Sequence, residues 1–228
     1  MPQIEFINVS KEFEPGKKVL DDVIFRVEPG EFVFLVGPSG AGKTTIIKLL
    51  TKEETPDTGD ILFNDESILS IPKEAIPNLR RKIGVVFQDF RLLESRNVFD
   101  NVAVALEVVD SSSEEIKSIV PNVLNLVGLS DKMFKYPKQL SGGEKQKVAI
   151  ARALAHEPDV ILADEPTGMI DPDSIEEVLE ILEKINSLGT TIIMATHDQE
   201  IVNTMKKRVI RIEKGKVVSD KKGGKYRA

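Results

Sequence analysis

The sequence contains no cysteine and no tryptophan, and only two tyrosines and two histidines. Without cysteine there is no disulfide framework and no thiolate metal site. Such a chain is suited to a reducing cytoplasm. No apolar run approaches the roughly 18–20 residues that span a bilayer. The opening Met1-Pro2-Gln3-Ile4-Glu5-Phe6 lacks the basic and apolar regions of a secretory signal, so none is expected. If a membrane is involved, another protein has to supply it. Positive charge is also scarce: the net charge is −6, the isoelectric point is near 5.2, and no basic block stands out. That argues against nucleic acid as a partner, and none is expected. Internal repeats and low-complexity linkers are absent as well. What remains, 41% hydrophobic and 30% charged residues over 228 positions, is an ordinary globular composition. The length has room for one large α/β domain, or for a core with one inserted subdomain.

Against that background one stretch stands out, Gly37-Pro38-Ser39-Gly40-Ala41-Gly42-Lys43-Thr44-Thr45. It follows the apolar run Phe32-Val33-Phe34-Leu35-Val36 and leads into Ile46-Ile47-Lys48-Leu49-Leu50. The order is a buried strand, a glycine-rich turn and a helix with an apolar face. The spacing G-x-x-x-x-G-K-T is that of a phosphate-binding loop. Glycines are needed because the backbone must curl round a phosphate with its amides pointing inward and no side chains in the way. The helix that follows adds the field of its positive end. Lys43 is then placed to reach the β and γ phosphates, and the Thr44 hydroxyl to ligate Mg²⁺. A glycine- and serine-rich turn capping a helix would share the bare pattern, but strand before and helix after favour the phosphate loop. The chain is expected to bind a nucleoside triphosphate.

Along the chain, residues 3–9 and 19–27 read as strands joined at Pro15-Gly16, an antiparallel flap beside the main sheet. Residues 31–36 form the strand before the loop and 44–52 its helix. Short strands are expected at 61–63 and 83–87, with a partly helical segment at 72–82 between them. From Asp89 to Pro158 apolar residues recur at helical spacing: Val98, Val102 and Leu106, then Ile116, Val120, Val123, Leu124 and Val127. Ser111-Ser112-Ser113 caps one of these helices and Gly128 ends it. Strands return at 160–163 and 191–194, with a helix over 173–187 between them that stops at Gly189. A hairpin turning at Lys214-Gly215 follows. Alternating strands and helices with apolar strands imply a parallel sheet covered on both faces.

The run Val160-Ile161-Leu162-Ala163 ends in two acids, Asp164 and Glu165. Acids after strands are common, but these lie at the strand end that in such sheets shares an edge with the phosphate loop. Asp164 is suited to hold Mg²⁺ through water, and Glu165 to orient or deprotonate an attacking water. Farther back, Leu140-Ser141-Gly142-Gly143-Glu144 opens a long helix, a second anion-ready helix start. With Val148-Ala149-Ile150-Ala151-Arg152-Ala153-Leu154 it resembles the signature of the ATP-binding cassette (ABC) ATPases, and the resemblance covers essentially the whole chain.

That resemblance implies an α/β ABC-type nucleotide-binding domain. Residues 1–88 and 159–228 would form the phosphate-loop core with its antiparallel β subdomain, and 89–158 an inserted helical signature subdomain. It implies Mg²⁺-dependent ATP hydrolysis by a head-to-tail homodimer, in which Ser141, Gly142 and Gly143 of one subunit close over ATP held by the other. It assigns Gln88 to sensing Mg²⁺ and water, His197 to the γ-phosphate, Phe13 to stacking on adenine, and Asp171 to a loop that contacts the opposite subunit. On residues alone, a polar strand end, a satisfied turn histidine and a core phenylalanine are the more usual readings of Gln88, His197 and Phe13. His156 matches nothing in the family and reads as structural.

Three positions depart from the family pattern. Glu144 stands where glutamine is more usual, and its charge is expected to weaken affinity for the approaching γ-phosphate unless Lys145 or Lys147 offsets it. Lys147 replaces arginine, keeping the charge and losing the fork. Met169-Ile170 replaces the more frequent Asn-Leu, which puts that loop's cross-dimer contact in question.

Within the family, residues 84–93, 97–103 and 201–210 and the tail after Gly215 look like the cell-division cassettes. In those, an integral membrane partner holds the ATPase peripherally at the cytoplasmic face, and ATP-driven closure is passed to peptidoglycan hydrolases at the septum. The partner's helix is expected to dock in the groove near residues 88–101. Lipoprotein-release and macrolide-export cassettes share Asp164-Glu165-Pro166-Thr167-Gly168 and remain alternatives. Methionine importers share the Val-Phe-Asp-Asn-Val run but usually carry a further C-terminal domain.

Overall fold

The computed structural model describes residues 1–226. In chain order the first elements are β1 (Ile4–Glu14), β2 (Lys17–Val27), β3 (Phe32–Val36) and α1 (Lys43–Leu50). Then come β4 (Thr58–Phe63), β5 (Glu66–Ser67), α2 (Ile76–Arg81) and β6 (Ile83–Val86). Next are α3 (Val98–Glu107), α4 (Ser113–Leu126), α5 (Gly142–Leu154), β7 (Val160–Asp164) and α6 (Pro172–Ser187). The chain closes with β8 (Thr191–Thr196), α7 (Gln199–Met205), β9 (Arg208–Glu213) and β10 (Lys216–Lys221). It divides into two compact units, residues 1–80 with the chain from Gly189 onward, and Arg81–Leu188.

In the first unit β2, β1, β4 and β5 form an antiparallel sheet. Ile4, Phe6 and Val9 point inward from β1, and the Phe6 and Phe25 rings stack with centroids 4.5 Å apart. These strands run beyond the expected 3–9 and 19–27, because their polar ends pair with opposite charges: Glu14 lies opposite Lys17 and Glu12 opposite Lys18. The second sheet of this unit has β3 parallel to both β8 and β9, with β10 antiparallel on the outside. All five residues of β3 are buried, the continuous apolar run of a strand covered on both faces. Thr191 links this sheet to the flap, donating its hydroxyl to Gln3 and accepting the Gly30 N–H at 2.8 Å. Lys214 and Gly215 both adopt positive φ, 47° and 76°, the turn that matches the twist of a two-residue hairpin. The tail after β10 turns back to α7, where the Tyr226 N–H reaches Asn203 Oδ1 at 3.1 Å.

In the second unit β6 and β7 are parallel neighbours, accompanied by α3 to α6. The expected caps are present on α4: Ser112 and Glu115 form a reciprocal capping box, and Gly128 follows the helix at φ 71°. Asn97 caps α3 and Asp171 caps α6. Short 3₁₀ turns at Ser130–Lys132 and Pro137–Gln139 lead from α4 into α5.

Candidate functional site

In the first unit, register places the phosphate loop beside His197. Val36 of β3 lies opposite Thr196 of β8, so Gly37 and His197 leave the sheet together at its carboxyl edge. The loop is shaped by glycine. Gly42 caps α1 at φ 108°, a left-handed conformation, and a Cβ there would stand 2.6 Å from Leu20 Cδ2. The Ala41 N–H closes a turn onto the Pro38 carbonyl at 3.1 Å. Pro38, Ser39, Gly40 and Thr44 are exposed, whereas Gly37, Ala41, Gly42, Lys43 and Thr45 are buried. Lys43 is 7% exposed and its Nζ donates to the Gly37 and Pro38 carbonyls at 2.9 and 3.3 Å, so the ammonium lies inside the loop's curl. A cradle that only glycine permits, lined by amides and one ammonium, suits a polyphosphate.

His197 is exposed between β8 and α7. The residues on either side fix it: the Asp198 N–H donates to Thr196 Oγ1 at 3.0 Å, and Asp198 Oδ1 caps α7 by accepting from Glu200 and Ile201 at 2.9 and 3.1 Å. Phe13, near the tip of β1, is 52% exposed, with Lys11 Nζ 5.4 Å from its ring centroid. An aromatic face so far out of the core is open to stacking.

In the second unit, Val86 of β6 lies opposite Ala163 of β7, so Gln88 and the pair Asp164-Glu165 emerge at one edge. Glu165 has φ 50°, a left-handed conformation costing about 1 kcal/mol for a non-glycine residue. The Gly168 N–H donates to the Glu165 carbonyl at 3.1 Å, closing the turn Glu165-Pro166-Thr167-Gly168 that holds the carboxylate. Both acids are half-buried. Carboxylate oxygens are the donors a hard cation such as Mg²⁺ takes.

The signature opens α5. The Ser141 hydroxyl accepts the Glu144 N–H at 3.2 Å while Glu144 Oε2 accepts the Ser141 N–H at 2.9 Å, a reciprocal capping box. A side chain on Gly143 would overlap Ser174, so this glycine lets α5 approach α6. Of the two expected partners of Glu144, Lys147 acts on it only through its charge, and neither is the one in contact. Lys147 is paired with Glu177 of α6, and it is Lys132, from the preceding 3₁₀ turn, that meets Glu144. Hydrogen bonding to Lys132 holds the Glu144 carboxyl below the usual carboxylate range. Asp171 is engaged at home: it accepts the Ser174 N–H at 3.0 Å and the Ser174 hydroxyl at 2.8 Å, which lowers its own pKa.

Two residues beyond the sequence-based candidates shape the segment after Gln88. Arg152 of α5 donates to the Arg91 and Phe90 carbonyls at 2.6 and 2.9 Å, and both of those residues have positive φ. Fully buried Asn101 of α3 accepts the Leu93 N–H at 2.7 Å and donates to the carbonyls of Leu93, Arg96 and Asn97. The signal for Asn101 was a lone amide within the apolar stripe of α3. Arg152 lies about sixty residues from its partners and left no local signal.

Among known proteins, the family model described as ABC transporter matches residues 20–168. A protein of Bacillus subtilis named "Cell division ATP-binding protein FtsE" is 53% identical over 98% of each chain. Those of the same name from Mycobacterium tuberculosis and Escherichia coli are 47% and 43% identical, over 96% and 93% of this chain and 96% of each relative. Among solved structures, cbiO1 from Clostridium perfringens, part of the ABC transporter complex cbiONQ, superposes with a TM-score of 0.90 at 31% identity, over 97% of this chain and 89% of that one. A dimeric ATP-binding cassette in a post-hydrolysis state with ADP and Pi bound gives 0.85, also at 31% identity, over 97% and 99% of the two chains.

Proposed function

The chain belongs to the ABC transporter family of ATP-binding cassettes, and from that premise we propose that it is the ATP-hydrolysing subunit of a membrane-bound cell-division complex. The observation that carries this reading is identity to cell-division ATP-binding proteins along nearly their whole length. The bare ATP motifs alone would fit other cassettes.

The roles of the site residues follow the family. Gly37 to Thr45 hold the phosphates of ATP, with Lys43 as the cation among them, and Phe13 stacks on adenine. Thr44, Asp164 and Gln88 hold Mg²⁺, which neutralises phosphate charge. Glu165 is the general base for water and His197 contacts the γ-phosphate. Ser141, Gly142 and Gly143 complete the site of a second copy in a head-to-tail dimer. The left-handed turn at Glu165 and the buried ammonium of Lys43 support these assignments, since each holds a functional group in a conformation the surroundings must enforce. We assign residues 1–88 and 159–228 to the ATP-binding core and 89–158 to the helical signature subdomain.

No helix among the described residues is long and apolar enough to cross a membrane. The complex therefore takes its membrane part from an integral partner, which we propose is FtsX-like and joined by other division proteins. It would hold this subunit at the cytoplasmic face. The segment 88–101, fixed by Asn101 and Arg152, is the surface offered to that partner's cytoplasmic helix.

The deciding experiment is a tagged pull-down from detergent-solubilised native membranes. A co-purifying protein with few spans and an extracellular domain, itself bound to a cell-wall hydrolase, is the expected result. A many-spanning solute permease, or a lipoprotein-release or macrolide-export partner, would leave the ATPase intact and overturn the division role.

A further inference from the structure

The two oxygens of Glu144 are divided between two tasks. Oε2 caps the start of α5 through the Ser141 N–H, and Oε1 meets the ammonium of Lys132. Lys132 reaches it from the 3₁₀ turn Ser130–Lys132. The lysine nearer in sequence, Lys147, is engaged with Glu177. Both ion pairs line one polar cavity of about 390 Å³ that also contains Ser141, Gly143 and Ser174. Because the Glu144 carboxyl is held below its usual range, protonation does not relieve its repulsion of another anion near neutral pH. Only a neighbouring cation does so, and Lys132 is the one in contact.

We propose that Lys132 is a positioning residue of the signature: its ammonium cancels the charge of Glu144, so that Ser141, Gly142 and Gly143 can receive the phosphate of ATP held by a second copy of this chain. This rests on the head-to-tail dimer proposed above. The sign of each change follows from charge alone. Removing Lys132 leaves an uncompensated carboxylate beside the incoming phosphate. Neutralising Glu144 removes the carboxylate in contact with Lys132 and shifts the charge at the signature toward the positive, although Asp131 and Glu177 still act on that ammonium. Removing both restores the balance. Glutamine can replace the carboxylate in the capping box, so Glu144→Gln keeps the helix start.

The test uses full-length chain carrying Glu165→Gln, with the ATP concentration for half-maximal dimer formation read by sedimentation. Adding Lys132→Met should raise that concentration about five- to twentyfold, as expected for one unit charge near a partly solvated anion. Adding Glu144→Gln alone should lower it, and the double change should return it to within about twofold of the starting protein. Raising the salt to about 0.5 M should shrink both single shifts. An unchanged midpoint for Lys132→Met overturns the proposal, as does an equal shift in the Glu144→Gln background, which would make Lys132 a phosphate ligand or a purely structural prop. If the Glu165→Gln chain binds a fluorescent ATP analogue yet never dimerises, the dimer reading fails and takes this proposal with it. Dimerisation without the charge-dependent shifts overturns the proposal alone.

Discussion

Gly168 and Gln88 touch: a Cβ built on the glycine would stand 2.7 Å from Nε2 of the glutamine. The turn that holds Glu165 therefore also limits where Gln88 lies, and two candidate groups on neighbouring strands are coupled through one missing methyl. The φ of Gly168 is not in the left-handed region, so alanine fits the backbone there and must displace only the flexible end of Gln88. Gly168→Ala should keep the melting temperature within a few degrees and lower ATP turnover about tenfold, as for a misplaced catalytic group. In a Gln88→Ala background the same change should cost less than about twofold, the non-additivity of residues acting as a unit. Equal losses in both backgrounds would mean the glycine serves something other than Gln88.

Glu165→Gln should reduce turnover by roughly 10²–10⁴, the usual worth of a general base, and leave ATP binding intact. The amide keeps the shape of the carboxylate, so the turn closed by the Gly168 N–H should survive. Steady-state hydrolysis and equilibrium binding of a fluorescent ATP analogue separate the two effects. Turnover near the wild-type rate would remove Glu165 from the role of base.

His197→Ala should lower turnover by about 10²-fold or more while monomer stability stays the same. The ring is exposed, and hydrogen bonds of Thr196 and Asp198 hold the adjoining backbone. Its place beside the phosphate loop comes from the Val36–Thr196 register, which the substitution leaves alone. A large fall in melting temperature would instead make His197 a structural residue.

The parts of this molecule that were legible in sequence are those in which a few adjacent residues carry the whole physical message. The phosphate loop is one, because its glycines, lysine and flanking elements are contiguous. The Ser112 cap and Gly128 stop of α4 are another. Lys132 was missed because the partner of Glu144 is chosen by how α4 and its following turns fold back on α5, whereas nearness in sequence pointed to Lys145 or Lys147. α7 was missed for a different reason: seven residues are too few to establish a period, and its capping residue Asp198 sits next to the more conspicuous His197.

Gln146 of α5 is fully buried, and neither its amide nitrogen nor its amide oxygen has a hydrogen-bond partner among the described residues. A buried amide left unpaired costs about 1–3 kcal/mol. Methionine has a similar unbranched shape without that cost, so Gln146→Met should raise stability by about 1–2 kcal/mol, or a few degrees in melting temperature. Loss of stability on this substitution would point to a buried water that the amide holds.

His156, just past the end of α5, should make stability pH-dependent in a direction set by its burial. Burial pushes the imidazole pKa below its ordinary value of 6.5, and the nearby Arg81 charge adds to that, outweighing backbone hydrogen bonds that act the other way. The unfolded chain then binds a proton more readily than the folded one between the ordinary value and the lowered one. Stability is therefore complete above about pH 6.5 and falls as the pH drops through that window. Between pH 7 and 5.5 this one group should remove up to about 1 kcal/mol. His156→Gln stays neutral throughout, so its urea midpoint should fall less over that range than that of the parent chain. The exposed His197 is present in both proteins and cancels in the difference. Parallel midpoints, or a steeper fall for the variant, would show that His156 is not held neutral by its surroundings.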